Sequence, residues 1–332
     1  MEENLGFEDA SPLRKLGRSD LMVSPIGLGC WQFSKGRGLA GKYWPSLNDD
    51  EILKIVDASL KGGINWFDTA EVYGWGESER ALSKSLKRLN ESKKGIIIAT
   101  KWWPLFRTAR SISKTIEVRL DALNIRCIDL YQVHNPFSFS SIRSEVRAFA
   151  ELIKNHKIRY VGVSNFSAKR MIKFHNELKE YELNLISNQV NYSLLNRKIE
   201  TNGILDSAKE LGISIIAYTP LARGILTGKF HENPDTIKTR SVFRRYSKAF
   251  KPLGLEKSRP LINALRTLAE KYQVSISQIA LNWIINFHGN TIVAIPGATS
   301  VEQARDNADS MRFRLTKDEL DFLDRESSIY KS

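Results

Sequence analysis

Short apolar runs alternate along the chain with longer stretches whose apolar residues recur every three to four positions. The short runs, at 26–29, 64–68, 96–101, 128–134, 160–164, 185–191, 213–218 and 291–295, are rich in β-branched residues and show little in–out alternation. Strands buried on both faces read this way, as in a parallel sheet covered by helices. In DDEILKIVDASLKGG, Ile52, Ile55, Val56 and Leu60 share one helical face, and Gly62 and Gly63 supply the stop. In SISQIALNWIINF, Ser275 stands three residues before Gln278, the spacing of a capping box at a helix start. Eight strand-like runs with helices between them predict an α/β fold with a parallel sheet. A length of 332 residues allows either two domains or one large (β/α)8 barrel, and no Pro-, Gly- or Ser-rich linker divides the chain.

The polar residues fall at the ends of these runs: Asp68, Lys101, His134, Ser164 with Asn165, Gln189 with Asn191, and Tyr218. Asp68, Lys101 and His134 are spaced by 33 residues and then by 33 again, one strand–helix unit each. In parallel neighbouring strands their C-terminal ends converge on one face, where barrel enzymes build their sites. Lys101 follows GIIIAT, so its ammonium emerges from buried surroundings that disfavour charge, and Asp68 is the natural carboxylate to restore it. Tyr73 lies five residues after Asp68 in DTAEVYG, within reach of the same rim. A free tyrosine titrates near about 10, and a neighbouring ammonium stabilises the phenolate and lowers that value. Tyr73 is thus expected to act as an acidified proton donor, with His134 orienting a carbonyl or sharing the proton.

Composition changes the picture little: 42% hydrophobic and 26% charged residues are ordinary for a globular protein with a sizeable core. No apolar run reaches the roughly 18 residues of a membrane span, and the acidic N-terminus does not read as a secretion signal. Cys30 and Cys127 are too few for a disulfide framework, so a cytoplasmic location is expected. The net charge of +13 raises the question of nucleic acid, yet most basic residues are interspersed with acids. The exception is 223–259, with ten basic and three acidic residues and no nucleic-acid-binding motif, which favours a phosphorylated small molecule. The five histidines lack metal-ligand spacing, so no metal is expected.

FDTAEVYG, IIIATKWW and YQVHNP, carrying Asp68, Tyr73, Lys101 and His134, together resemble the catalytic tetrad of the aldo-keto reductase family. The resemblance continues through GVSNFS at 162–167, NQVNYSLLNR at 188–197, AYTPLARGILTGK at 217–229 and IPGATSVEQARDN at 295–307, and covers roughly residues 13–323. It implies a single-domain (β/α)8 barrel over 1–332, with an N-terminal β-hairpin and an extended loop covering the cofactor. It also implies hydride transfer from NADP(H), with NAD(H) admitted, to an aldehyde or ketone. In agreement, no complete G-x-G-x-x-G fingerprint opens a βα unit, since GLGCW at 27–31 lacks the third glycine.

By the same resemblance, Asp68 holds Lys101, Lys101 tunes Tyr73 and His134 orients the carbonyl. Gly29, Cys30 and Trp31 would flank the cofactor, Ser164, Asn165 and Gln189 would bind the nicotinamide carboxamide, and Tyr218 would stack on its ring. Thr219, Pro220, Leu221, Arg223 and Gly224 would line the pyrophosphate, with Lys229 and Arg240 in the covering loop. Gly297, Thr299, Gln303, Asp306 and Asn307 would form the adenosine site, Thr299 and Gln303 next to the 2′-phosphate. Gln303 stands where many NADPH-using members carry Arg, and Cys30 replaces a frequent Thr.

Trp31 and Trp102 are expected to wall an apolar substrate pocket together with Tyr73 and His134, while roles for Trp44, Trp103 and Phe106 stay open. Partners expected are a small carbonyl compound and neither nucleic acid nor membrane, with a monomer or a homo-oligomer both allowed. Two alternatives remain: Lys101 as a Schiff-base nucleophile of an aldolase-type barrel, and a nicotinamide-sensing regulatory subunit with little turnover, as in channel-associated β subunits.

Overall fold

The structure, a computed structural model, describes residues 13–38, 43–90, 95–237 and 247–332. A two-stranded antiparallel hairpin, β1 (Arg14–Lys15) and β2 (Met22–Val23), comes first. Eight parallel strands follow: β3 (Leu28–Gly29), β4 (Trp66–Asp68), β5 (Ile97–Trp102), β6 (Ile128–Val133), β7 (Ile158–Ser164), β8 (Leu185–Asn191), β9 (Ser214–Tyr218) and β10 (Ile292–Ala294). They pair in sequence order from β3 to β10. Every one falls on a run that the apolar pattern marks. The first and last strands then meet: Gly27 N–H donates to Ala294 O at 2.8 Å and Gly29 N–H to Pro296 O at 3.0 Å, closing a (β/α)8 barrel. A Cβ on Gly29 would stand 2.8 Å from Ile295 O, so glycine is required where these backbones approach.

Helices cover the outside and start where the sequence provides caps. Asn48 and Glu51 form a capping box on the helix Asp49–Lys61, whose Ile52, Ile55 and Val56 are buried. Gly63 just beyond it takes φ +89°, open to glycine at no steric cost. Ser275 and Gln278 cap the helix Ile276–Asn286 as their spacing predicts.

Two apolar layers result. Trp66, Ile97, Ala99, Leu130, Ile186, Ile216, Val293 and Ile295 fill the barrel interior, joined by Leu16, Leu21 and Val23 of the hairpin segment. Gly17 N–H donates to Ser214 Oγ at 2.7 Å at the start of β9, so the hairpin plugs the N-terminal end of the barrel. The larger layer lies between strands and helices and contains Ile98 and Trp102. The opposite end remains open for chemistry.

Strand parity corrects one expectation. On β5, Ile97 and Ala99 point inward, so Lys101 does also, and Trp102 must face the helices. Trp102 is fully buried there and its Nε1 donates to Ser111 Oγ at 2.9 Å. It is a core residue, not a substrate-pocket wall. Trp102→Ala is therefore expected to lower stability by about 3–5 kcal/mol in urea unfolding; a loss under about 1 kcal/mol accompanied by a raised KM would contradict this placement.

Candidate active site

Adjacent parallel strands set the geometry of the open end. β4 and β5 pair with Asp68 opposite Ala99, which leaves Lys101 one inward step beyond it. Lys101 has no exposed surface and Asp68 has 1%. The Lys101 ammonium donates to Asp68 Oδ1, to Thr69 O at 2.8 Å and, over a longer 3.4 Å, to Tyr73 Oη. The second Asp68 oxygen accepts the amide nitrogens of Gln132 and Gln189, both at 2.9 Å. His134, at the end of β6, meets the Tyr73 ring edge-on with centroids 5.6 Å apart. The four predicted catalytic residues thus come together.

Their protonation follows from burial and charge. Burial pushes Lys101 toward losing its proton, but Asp68 and then Tyr73 more than offset this, so Lys101 holds its proton above the ordinary lysine value. That disfavours the free amine a Schiff-base nucleophile needs. Burial raises the Tyr73 phenol, Lys101 pulls it down and Asp68 raises it again, leaving it above the ordinary tyrosine value. The expectation of a net acidified tyrosine is therefore corrected. Lys101 acts in the expected direction, but desolvation is larger. His134 is driven well below the usual imidazole range, first by burial and then by the Lys101 charge, so its ring is neutral.

Above this group opens a cavity of about 820 Å³. Its lining includes Trp31, Tyr43, Trp44, Tyr73, Trp103 and His134. Trp31 stacks on Tyr43 at 5.3 Å and lies nearly parallel to Tyr73 at 6.1 Å, while Trp103 meets His134 edge-on at 5.1 Å. Trp103 thus takes the place expected for Trp102, and Phe106 is 77% exposed outside the lining.

The remaining lining comes from other strand exits: Gly29 and Cys30; Ser164, Asn165 and Gln189; Tyr218, Thr219, Pro220, Leu221, Arg223, Gly224 and Lys229; and Gly297, Thr299, Gln303, Asp306 and Asn307. Arg240 lies outside the described residues. Tyr218 Oη donates to Asn165 Oδ1 at 2.8 Å, and Asn165 Nδ2 donates to Ser164 Oγ at 3.1 Å. After β9, Thr219, Ala222 and Arg223 all take positive φ (50°, 47° and 60°) before Gly224 at 98°. Non-glycine residues held in this region carry strain, a recurrent property of ligand clamps. Thr299 directs both N–H and Oγ1 to Gln303 Oε1 (2.8 and 3.1 Å), at the first turn of the helix Val301–Asp309 capped by Ser300. Arg223, Lys229 and this helix start give the long arm of the cavity the positive character that a phosphorylated ligand requires.

With the geometry in place, comparison with known proteins decides the family. The sequence profile of the Aldo/keto reductase family matches residues 25–327. The chain belongs to the aldo/keto reductase family. Similar members include a chloroplastic pyridoxal reductase of Arabidopsis thaliana, 33% identical over 95% of this chain and 87% of that protein. An aldo-keto reductase of Strobilurus tenacellus is 32% identical over 93% of this chain and 90% of its own. Among solved structures, the glycerol dehydrogenase of Gluconobacter oxydans superposes with TM-score 0.83 at 28% identity, covering 97% of both chains. An aldo-keto reductase of Klebsiella pneumoniae solved with NADPH (TM-score 0.73, 23% identity, 97% of this chain and 96% of that one) shares the fold. Among the described residues no helix is long and apolar enough to cross a membrane.

Two residues of the quoted motifs that the sequence reading does not single out join the site: Gln132, which shares Asp68 with Gln189, and Glu71, whose carboxylate accepts the Trp103 N–H. Gln132 lies two residues before His134 on β6, so strand parity alone turns it inward beside the tetrad. In an NMR titration, the His134 ring is expected to show no proton uptake between about pH 5 and 8, where an ordinary histidine titrates. A midpoint inside that window would contradict the neutral ring.

Proposed function

We propose that this aldo/keto reductase family member is an NADP(H)-dependent carbonyl reductase for aldehydes and ketones with a planar aromatic body. The observation that carries the reading is the Tyr73 hydroxyl 3.4 Å from the Lys101 ammonium in a cavity walled by Trp31, Tyr43, Trp44 and Trp103. Flat rings at stacking and edge-on spacings favour a flat substrate, and pyridoxal, named for the Arabidopsis relative, is an aromatic aldehyde. The long basic arm supports the dinucleotide: Arg223 and Lys229 toward the pyrophosphate, Tyr218 under the nicotinamide, Thr299 and Gln303 at the 2′-phosphate. Two free cysteines fit a reducing compartment, the cytoplasm, and the barrel with its hairpin is read as one domain over 1–332.

When bound, the dinucleotide supplies the hydride. The chain's residues do the rest. Trp31 and Trp103 hold the substrate plane and exclude water. His134, neutral, faces the carbonyl oxygen without adding charge, and Tyr73 gives its phenolic proton to that oxygen. Lys101 faces the phenolate left behind and stabilises it by its charge, while Asp68 keeps Lys101 protonated. A phenol held above its ordinary value is stocked with its proton at neutral pH, which suits reduction.

Tyr73→Phe is expected to lower the reduction of benzaldehyde or pyridoxal by at least about 100-fold, while NADPH still quenches tryptophan fluorescence as in wild type; retained turnover would remove Tyr73 as the acid. The raised phenol also sets the pH dependence. Reduction is expected to stay level through neutral pH and fall only above about 10, whereas alcohol oxidation, which needs the phenolate, rises with pH. A reduction rate that declines from about pH 7 upward would contradict that sign.

A further inference from the structure

Two residues before Tyr73 and three after Asp68 stands Glu71, which takes no part in the proton chemistry and is only 6% exposed. One carboxylate oxygen accepts the backbone N–H of Trp103 and, at 2.7 Å, Nη1 of Arg107. The other faces Nη1 of Arg119 at 3.4 Å. Arg119, itself buried, also reaches Glu79 at 3.3 Å, and Glu79 accepts Thr100 Oγ1 at 2.7 Å. The Glu71 N–H in turn donates to Lys101 O at 3.3 Å. The loop that carries Tyr73 is thereby tied at backbone and side chain to the strand exit that carries Lys101 and Trp103. Trp103 and Tyr73 both meet the His134 ring edge-on, at 5.1 and 5.6 Å, and all three line the cavity.

We propose that Glu71 is a positioning residue for the carbonyl substrate: by binding the Trp103 N–H from the Tyr73 loop, its carboxylate fixes the width of the slot that Tyr73, His134 and Trp103 form. The inference rests on the reductase reading above. A buried carboxylate shared by two arginines is costly to build, and apolar packing of the same volume would hold two loops together without it. An acceptor aimed at one backbone N–H does what apolar packing cannot, since it sets a direction and a distance. The residues read as the dinucleotide arm follow β7 to β10, and none of them is among the Glu71 side-chain partners Trp103, Arg107 and Arg119, so this clamp acts on substrate and leaves cofactor affinity alone. It acts most on flat aromatic carbonyls, which fill the slot, and least on small aliphatic ones.

The test uses three full-length variants. Glu71→Gln keeps an oxygen for the Trp103 N–H, Glu71→Asp keeps the charge for Arg107 and Arg119 but withdraws it by one methylene, and Glu71→Ala removes both. Steady-state kinetics with benzaldehyde and propanal, NADPH affinity by fluorescence quenching, and the Trp103 indole NMR resonance (assigned with Trp103→Phe) are the readouts. For Glu71→Asp and Glu71→Ala, kcat/KM for benzaldehyde is expected to fall about tenfold or more, through KM. Propanal and the NADPH dissociation constant should change less than about twofold. The Trp103 resonance moves while those of the core residues Trp66 and Trp283 stay, and Glu71→Gln restores both kinetics and resonance. Should Glu71→Ala fail to fold, Glu71→Asp against Glu71→Gln decides the matter. The proposal is overturned if Glu71→Asp matches wild type, or if the losses extend equally to NADPH binding and to every tryptophan resonance. A wild type that reduces no carbonyl would instead refute the reductase reading, and the Trp103 resonance would still decide the clamp.

Discussion

A lysine with no exposed surface must meet a counter-charge, and at the open end of this barrel Asp68 supplies it. Removing one partner of such a pair typically costs about 3–5 kcal/mol, because the other charge is left buried and unpaired. The surroundings are arranged around that constraint. Gln132 and Gln189 occupy the second carboxylate oxygen and the Thr69 carbonyl takes another ammonium proton. With its neighbours thus satisfied, the Lys101 charge has one further direction in which to act, toward the Tyr73 hydroxyl and ring, 4.9 Å from the centroid. Burial keeps His134 neutral, and the same charge adds to that effect. The ion pair thus acts on both Tyr73 and His134, and burial is the larger influence at each.

The barrel divides labour around its mouth. The exits of β3 to β6 bring Asp68, Tyr73, Lys101 and His134 with their aromatic wall, and those of β7 to β10 bring the amides, the strained turn after β9 and the capped helix Val301–Asp309. Trp31 and Arg223 approach across the cavity through Tyr43, which stacks on the first and lies 5.7 Å under the guanidinium of the second. The aromatic wall and the basic arm therefore share one space of about 820 Å³, the size range of ordinary ligand sites. The hairpin packs into the other end of the barrel.

Much of this was legible in the chain. Paired strands give continuous apolar runs, so all eight barrel strands stood out, and the groups closing six of them were visible as polar stops, the first three 33 residues apart. What a run does not show is how deep each group will lie. The sign at Tyr73 came out opposite to expectation because desolvation depends on how Trp31, His134 and the barrel floor close over it, and only the Lys101 contribution can be read from adjacency. Trp102 and Trp103 illustrate a legible but unused signal, since parity from Lys101 separates them outright. Gln132 falls under the same rule. Glu71 does not, because its partners come from the helix Arg110–Leu123 and the loop before it, which meet the Glu71 loop only in the folded barrel.

The most direct measurement is a 13C NMR titration of protein carrying label at tyrosine Cζ, with the Tyr73 signal assigned by its loss in Tyr73→Phe. The account predicts a midpoint above the free-tyrosine value of about 10 in wild type, displaced higher again when Lys101→Met removes the ammonium. A Tyr73 midpoint at or below that value, or one that ignores the loss of Lys101, would contradict it.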